Sequence, residues 1–162
     1  MKSRYEDKIK EGASAFLADG EEVLSAIVAR PRGWTQSMAG HAGPGNVAAG
    51  LGARKKQRHE AAADDAGFAL ASPMALAVTG SRLLSIEIGS PIGLGIGGKV
   101  KQLAGEAPLA DVDSIEVKRL AVGKTVTVTV RGTPFTLETN AAGDAMGLVA
   151  AFERAKAGAG AA

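Results

Sequence analysis

The sequence contains no cysteine. Disulfides, thiolate metal sites and cysteine nucleophiles are therefore excluded, and the composition suits a reducing cytoplasm. There are only two histidines, His41 and His59, and neither has acidic or cysteine companions at a metal-ligand spacing. No Ser-His-Asp set is legible, and the acidic pairs Asp64-Asp65 and Asp111/Asp113 read as solvated surface. The expectation is a protein that is not an enzyme and uses no cofactor or metal. Aromatic residues make up 4% of the chain, so any core has to be aliphatic. No window of about 18 apolar residues occurs, so no spanning helix is expected. The opening MKSRYEDKIKEG is charged and lacks the apolar segment of a signal peptide. A formal net charge of +2 falls short of the basic balance that by itself signals nucleic-acid binding, which makes such a partner unexpected.

What is present is ample for one domain. The 162 residues are 46% hydrophobic, although much of that is alanine, which buries little. Residues 1–20 read as an N-terminal amphipathic helix. Ser3 and Glu6 form a capping box, Tyr5, Ile9, Ala13, Phe16 and Leu17 make one apolar stripe, and Gly20 is a stop. Such a stripe packs on the domain's own body or meets a second copy, so Tyr5, Ile9, Phe16 and Leu17 are candidate self-association residues. EEVLSAIVARPRG then has strand composition, ending at Pro31. From about 37 to 67 the chain turns to glycine, alanine and charge. A structureless loop of that length is unusual inside a compact domain. The stretch reads as a flexible insertion in which Asn46 to Ala66 can form an alanine-rich helix when packed or bound.

Beyond Phe68 the pattern is one of short strands. Met74, Leu76 and Val78 alternate onto one face, as do Leu84, Ile86 and Ile88 after a turn at Gly80-Ser81. DVDSIEVKRL carries Val112, Ile115 and Val117. KTVTVTVRG sets Val126, Val128 and Val130 against threonines, Gly132-Thr133 turns the chain, and TPFTLETN returns with Phe135 and Leu137 inward. Met146, Leu148, Val149 and Phe152 form a helical stripe closed by Gly158, and residues 158–162 read as a flexible tail. Two terminal helices around about seven closely spaced strands suit an antiparallel barrel or sandwich in the 21–157 region.

One stretch imitates a nucleotide site. Gly93 to Lys99, GLGIGGK, meets seven positions of the G-x-x-x-x-G-K-[ST] loop, but Val100 supplies no hydroxyl for Mg²⁺. Gly105 and Pro108 follow too soon for a full helix whose N-terminus could hold phosphate. The stretch is expected to be an inter-strand loop.

VTGSRLLSIEI resembles the "L-T-x-x-R-L" hairpin of bacterial pleckstrin-homology-like and GRAM-like domains. Pro108 to Ile115, PLADVDSI, looks like their "P-L-x-D-I-x-x-V" strand entry, and the helix carrying Phe152 looks like the one that plugs their barrel. The resemblance implies a mainly β fold, a pleckstrin-homology-like antiparallel barrel of about seven strands with a C-terminal capping helix, here with an extra N-terminal helix. It also implies a binding module for lipid headgroups, peptides or proteins. The alanine-, glycine- and arginine-heavy composition is in keeping with a bacterial source. Arg54, Lys55, Lys56 and Arg58 fall in the connection between the first two strands, where many pleckstrin-homology domains cradle an anionic headgroup. Arg30, Arg32 and Trp34 stand at the start of that connection. These seven residues are the candidate anion or partner contacts. A protein partner or homo-oligomer is the leading expectation, and an anionic membrane surface the alternative.

Overall fold

The computed structural model describes residues 4–33, 47–71, 73–89, 99–121, 123–139 and 143–160. For Arg4 and Tyr5, and for 47–52 and 159–160, only the backbone is described. The chain starts with helix α1 (Arg4–Ala13), and a 3₁₀ turn over Ser14–Phe16 follows it. Next come strand β1 (Val23–Pro31), helix α2 (Val47–Asp65) and strands β2 (Met74–Thr79), β3 (Arg82–Ile88) and β4 (Val100–Pro108). A 3₁₀ turn over Leu109–Asp111 leads to β5 (Val112–Arg119), β6 (Lys124–Val130), β7 (Thr133–Thr139) and helix α3 (Ala145–Gly160).

All seven strands are antiparallel, in the order β4-β3-β2-β1-β7-β6-β5. With helices at both ends, this is the mainly β arrangement that the resemblance implies. β1 belongs to both halves. It pairs with β2 from Val23 to Ala29 and then with β7 at Arg30↔Glu138 and Pro31↔Leu137. The β6–β7 hairpin turns on Arg131 and Gly132, with φ of 49° and 81°. Two successive left-handed residues make the turn whose twist suits a tight hairpin, so it sits one residue earlier than Gly132-Thr133.

Two apolar layers hold these strands. The main core joins Ile27, Met74, Leu76, Val78 and Leu83 to Val126, Val128, Val130, Phe135 and Leu137, with Leu148 and Phe152 of α3 added. A second cluster lies on the opposite face of β1 to β3, where Ile9 and Ala13 of α1 meet Ala26, Ala75, Ala77, Leu84 and Ile86. β2 is therefore buried on both faces. The alanines at 26, 75 and 77 leave the room that lets α1 approach the sheet. Each large aliphatic side chain so enclosed contributes about 1.5–3 kcal/mol. In α3 the buried positions are Ala145, Leu148, Ala151 and Phe152, while Met146 is 60% exposed. Met146 thus does not belong to the packed stripe, because it falls on the helix face away from the sheets. Asp144 caps this helix: its Oδ1 accepts from Gly147 N–H at 2.9 Å.

The alanine-rich stretch is a packed helix rather than a loop. Alanine is the strongest helix former, and this segment contains no proline. Ala63 and Ala66 are buried in the main core. The helix ends in a Schellman motif: Gly67 N–H donates to Asp64 O at 2.9 Å and Phe68 N–H to Ala63 O at 2.8 Å, with Gly67 at φ +76°. That reversal drops Phe68 into the core, where its ring stacks on Phe135 at 5.6 Å between centroids.

Candidate functional site

α2 lies along β7 and the end of β1. His59 is the pivot of this contact. Its Nδ1 accepts from the backbone N–H of Thr136 on β7, at 3.1 Å. Around the imidazole stand Arg32 from the end of β1, Lys55 and Arg58 from α2, and Glu138 from β7. Lys55, Arg58 and His59 share a helix face because residues three and four apart are neighbours. Burial, followed by the charges of Arg32, Arg58 and Lys55, holds His59 below its ordinary value of 6.5, and Glu138 opposes them. Arg30 sits across from Glu138 in the β1–β7 register, and burial lowers its pKa while Glu138 raises it. Glu138 also accepts the N–H of Gly33 at 3.0 Å.

Arg30, Arg32, Lys55 and Arg58 are thus drawn to one face, with Glu138 as the carboxylate among them. Lys55 and Arg58 are exposed, and Arg32 is half-buried. Among the described residues no carboxylate forms an ion pair with Arg32, Lys55 or Arg58. Arg54 is exposed on the same helix. Lys56 differs, being paired with Glu60 one turn on at 3.5 Å. Trp34 lies outside the described residues, as do His41 and Gly93 to Gly98. Lys99, the last residue of the imitation phosphate loop, runs straight into β4 at Val100, so a strand stands where a phosphate-binding helix would have to begin. Among the described residues no group of three or more metal-ligating side chains gathers.

The candidate self-association stripe is largely occupied within the chain. Ile9 is 4% exposed against the sheet, and Phe16 and Leu17 are half-buried on the same cluster. The side chain of Tyr5 is not among those described.

A second polar constellation explains the motif residues. Arg82 opens β3 and grips Glu21 with both faces of its fork, Nε to Oε2 at 3.0 Å and Nη2 to Oε1 at 2.6 Å. Its Nη2 also donates to Phe16 O at 2.9 Å, and its Nη1 pairs with Glu106 on β4. The hydroxyls of Thr79 and Ser81 donate to Glu21 Oε2 at 2.8 and 2.9 Å. The Arg82 guanidinium holds the Glu21 carboxyl down to about 2 from 4.5, against the upward push of burial. All five side chains, Arg82, Glu21, Glu106, Thr79 and Ser81, have partners within the protein. The constellation ties the N-terminal segment to the β2–β3 hairpin.

The aspartates at the start of the fifth strand, Asp111 in the 3₁₀ turn before it and Asp113 within it, are tied down as well. Asp111 pairs with Arg131 at 2.8 Å, and Asp113 accepts the N–H of Gly132 at 2.7 Å. Arg131 also donates to Ala66 O at 2.6 Å, which staples the end of α2 to the β6–β7 hairpin. His59, Glu138, Glu21 and Arg131 were not among the candidates read from sequence. A signal existed for His59, which lies four residues after Lys55 in a helix-forming run. The contacts that make the others informative join distant parts of the chain: Glu138 to Gly33, Glu21 to Arg82 and Arg131 to Ala66 are 105, 61 and 65 residues apart.

No protein-family model matches the chain, and no curated protein does. Among the solved structures similar to it are two from Shewanella. One is a DUF1696 family protein with a pleckstrin-homology domain from Shewanella loihica PV-4, 12% identical, covering 96% of this chain and 99% of its own, with a TM-score of 0.47. The other is a pleckstrin homology domain from Shewanella amazonensis SB2B, 15% identical, covering 93% and 96%, with a TM-score of 0.45.

Proposed function

We propose that this chain is a non-enzymatic, pleckstrin-homology-like binding module that works at the cytoplasmic surface of a membrane. Its binding face is the basic surface formed by Arg30, Arg32, Lys55 and Arg58, and its ligand is an anionic lipid surface. The observation that carries this reading is the gathering of four cations from two elements around a single carboxylate. Near an anionic membrane each cation contributes about 1 kcal/mol, and Glu138 offsets about one of them. The net attraction is about 3 kcal/mol, or roughly a hundredfold in partitioning. No helix among the described residues is long and apolar enough to cross a membrane. Attachment through this face would therefore be peripheral. Self-association through the N-terminal stripe is less favoured, because Ile9 is already enclosed by the chain's own sheet.

The test is equilibrium binding to vesicles of phosphatidylserine with phosphatidylcholine and to vesicles of phosphatidylcholine alone. Binding to the first kind, weakened by added salt, is the expected result. Equal binding to both, or to neither, would overturn the reading.

A further inference from the structure

The β1–β7 seam is closed by a side chain where a backbone group would ordinarily serve. Arg32 N–H donates to Thr136 O at 3.0 Å, which continues the register of Arg30↔Glu138 and Pro31↔Leu137. In such a hydrogen-bonded antiparallel pair the N–H of Thr136 would donate back to the carbonyl of Arg32. The chain turns away at Arg32 and Gly33, and Thr136 N–H donates instead to His59 Nδ1. An imidazole can accept there only while it is neutral, with its proton on Nε2, because both nitrogens of the protonated ring are donors. We propose that His59 is a pH-sensitive latch: when neutral it holds α2 on the β1–β7 seam, and when protonated it lets that turn of the helix leave.

Two observations bear on the direction of the switch. Protonation removes the acceptor that the Thr136 N–H finds among the described residues, and Thr136 is itself buried. It also sets a new cation among Lys55 and Arg58 of α2 and Arg32 just past β1, with Glu138 of β7 as the opposing carboxylate. Both effects favour the open seam in acid. The far end of α2 stays anchored, since Ala63 and Ala66 are packed in the main core and Arg131 donates to Ala66 O. The switch is therefore local. A helix turn lifts, while the core keeps its packing.

The test is hydrogen exchange of the Thr136 amide, corrected for its intrinsic rate, from about pH 7.5 to about pH 5. If opening takes up one proton, protection falls by up to about tenfold per pH unit below about 6.5. His59→Asn keeps an acceptor near the Nδ1 position without a titrating group, and its Thr136 amide should show no such step. Protection that stays flat in the wild type, or the same step in His59→Asn, would overturn the proposal. A measurement on the unaltered protein stands beside it. The ring nitrogen shifts of His59 at neutral pH should report the Nε2–H form, and the Nδ1–H form would refute the latch.

Discussion

Replacing Glu21 by glutamine removes one charge from the Arg82 clamp while keeping the size of the side chain. Glu21 Oε2 takes three donors, from Arg82, Thr79 and Ser81, and Oε1 takes two, from Arg82 and Ala18. A glutamine has one carbonyl oxygen, so one of these sets loses its acceptor and meets an NH₂ group. A hydrogen bond to a charged group contributes about 1.5–3 kcal/mol. The Arg82 side chain is 22% exposed, so water screens the pair and takes over part of the lost bonding. The expected loss is about 1–2 kcal/mol, which for a chain of this length lowers Tm by roughly 2–8 °C. The pH dependence separates charge from packing. The Arg82 guanidinium holds the folded carboxyl down at about 2, against an ordinary value of 4.5, so the folded state resists a proton that the unfolded chain accepts. The stabilisation is complete above the unfolded value and disappears as pH falls from there through the folded one. Thermal unfolding followed by circular dichroism should show the largest gap between wild type and Glu21→Gln near neutrality, shrinking below about pH 4.5. A variant as stable as the wild type near pH 7, or a gap that stays constant into acid, would refute the clamp.

Phe68→Ala should cost about 3–5 kcal/mol in urea unfolding, because a fully buried ring stacked on Phe135 leaves a cavity. Gly105→Ala should destabilise by about 1–3 kcal/mol, since its Cβ would stand 2.7 Å from both the backbone N and O of Ala69, which cannot swing aside. Met146→Lys should change stability by less than about 0.5 kcal/mol in the same assay, while Leu148→Lys should prevent cooperative unfolding, because only the second position is buried.

Alternation was a dependable guide to this fold because strand side chains must face opposite sides. Val126, Val128 and Val130 and the returning Phe135 and Leu137 enter the core as their spacing demands. Leu84, Ile86 and Ile88 also share a face, yet it is the outer one, beneath α1. Periodicity reports that a face is apolar and not which layer it meets. The alanines between Met74, Leu76 and Val78 looked neutral in sequence, and they are the floor on which α1 rests. Alanine obscured α2 in the same way. Its helix packs by closeness rather than bulk, so no large apolar stripe marks Ala63 and Ala66. Arg30, Arg32, Lys55 and Arg58 were visible as charge, but their convergence depends on α2 folding back over β7. His59 looked like a solvated loop residue because its partner is a backbone N–H, which leaves no trace in a sequence.

The most direct test of the basic face compares two charge reversals of equal size. Arg32→Glu with Arg58→Glu alters the proposed face, and Lys118→Glu with Arg119→Glu alters the exposed end of β5 by the same net charge. Each reversal on the binding face removes about 1 kcal/mol of attraction and adds a comparable repulsion. Co-sedimentation with phosphatidylserine vesicles should therefore be abolished in the first variant and only modestly reduced in the second. Equal losses in both would mean that the protein answers to net charge alone, and the account of a built binding face would be contradicted.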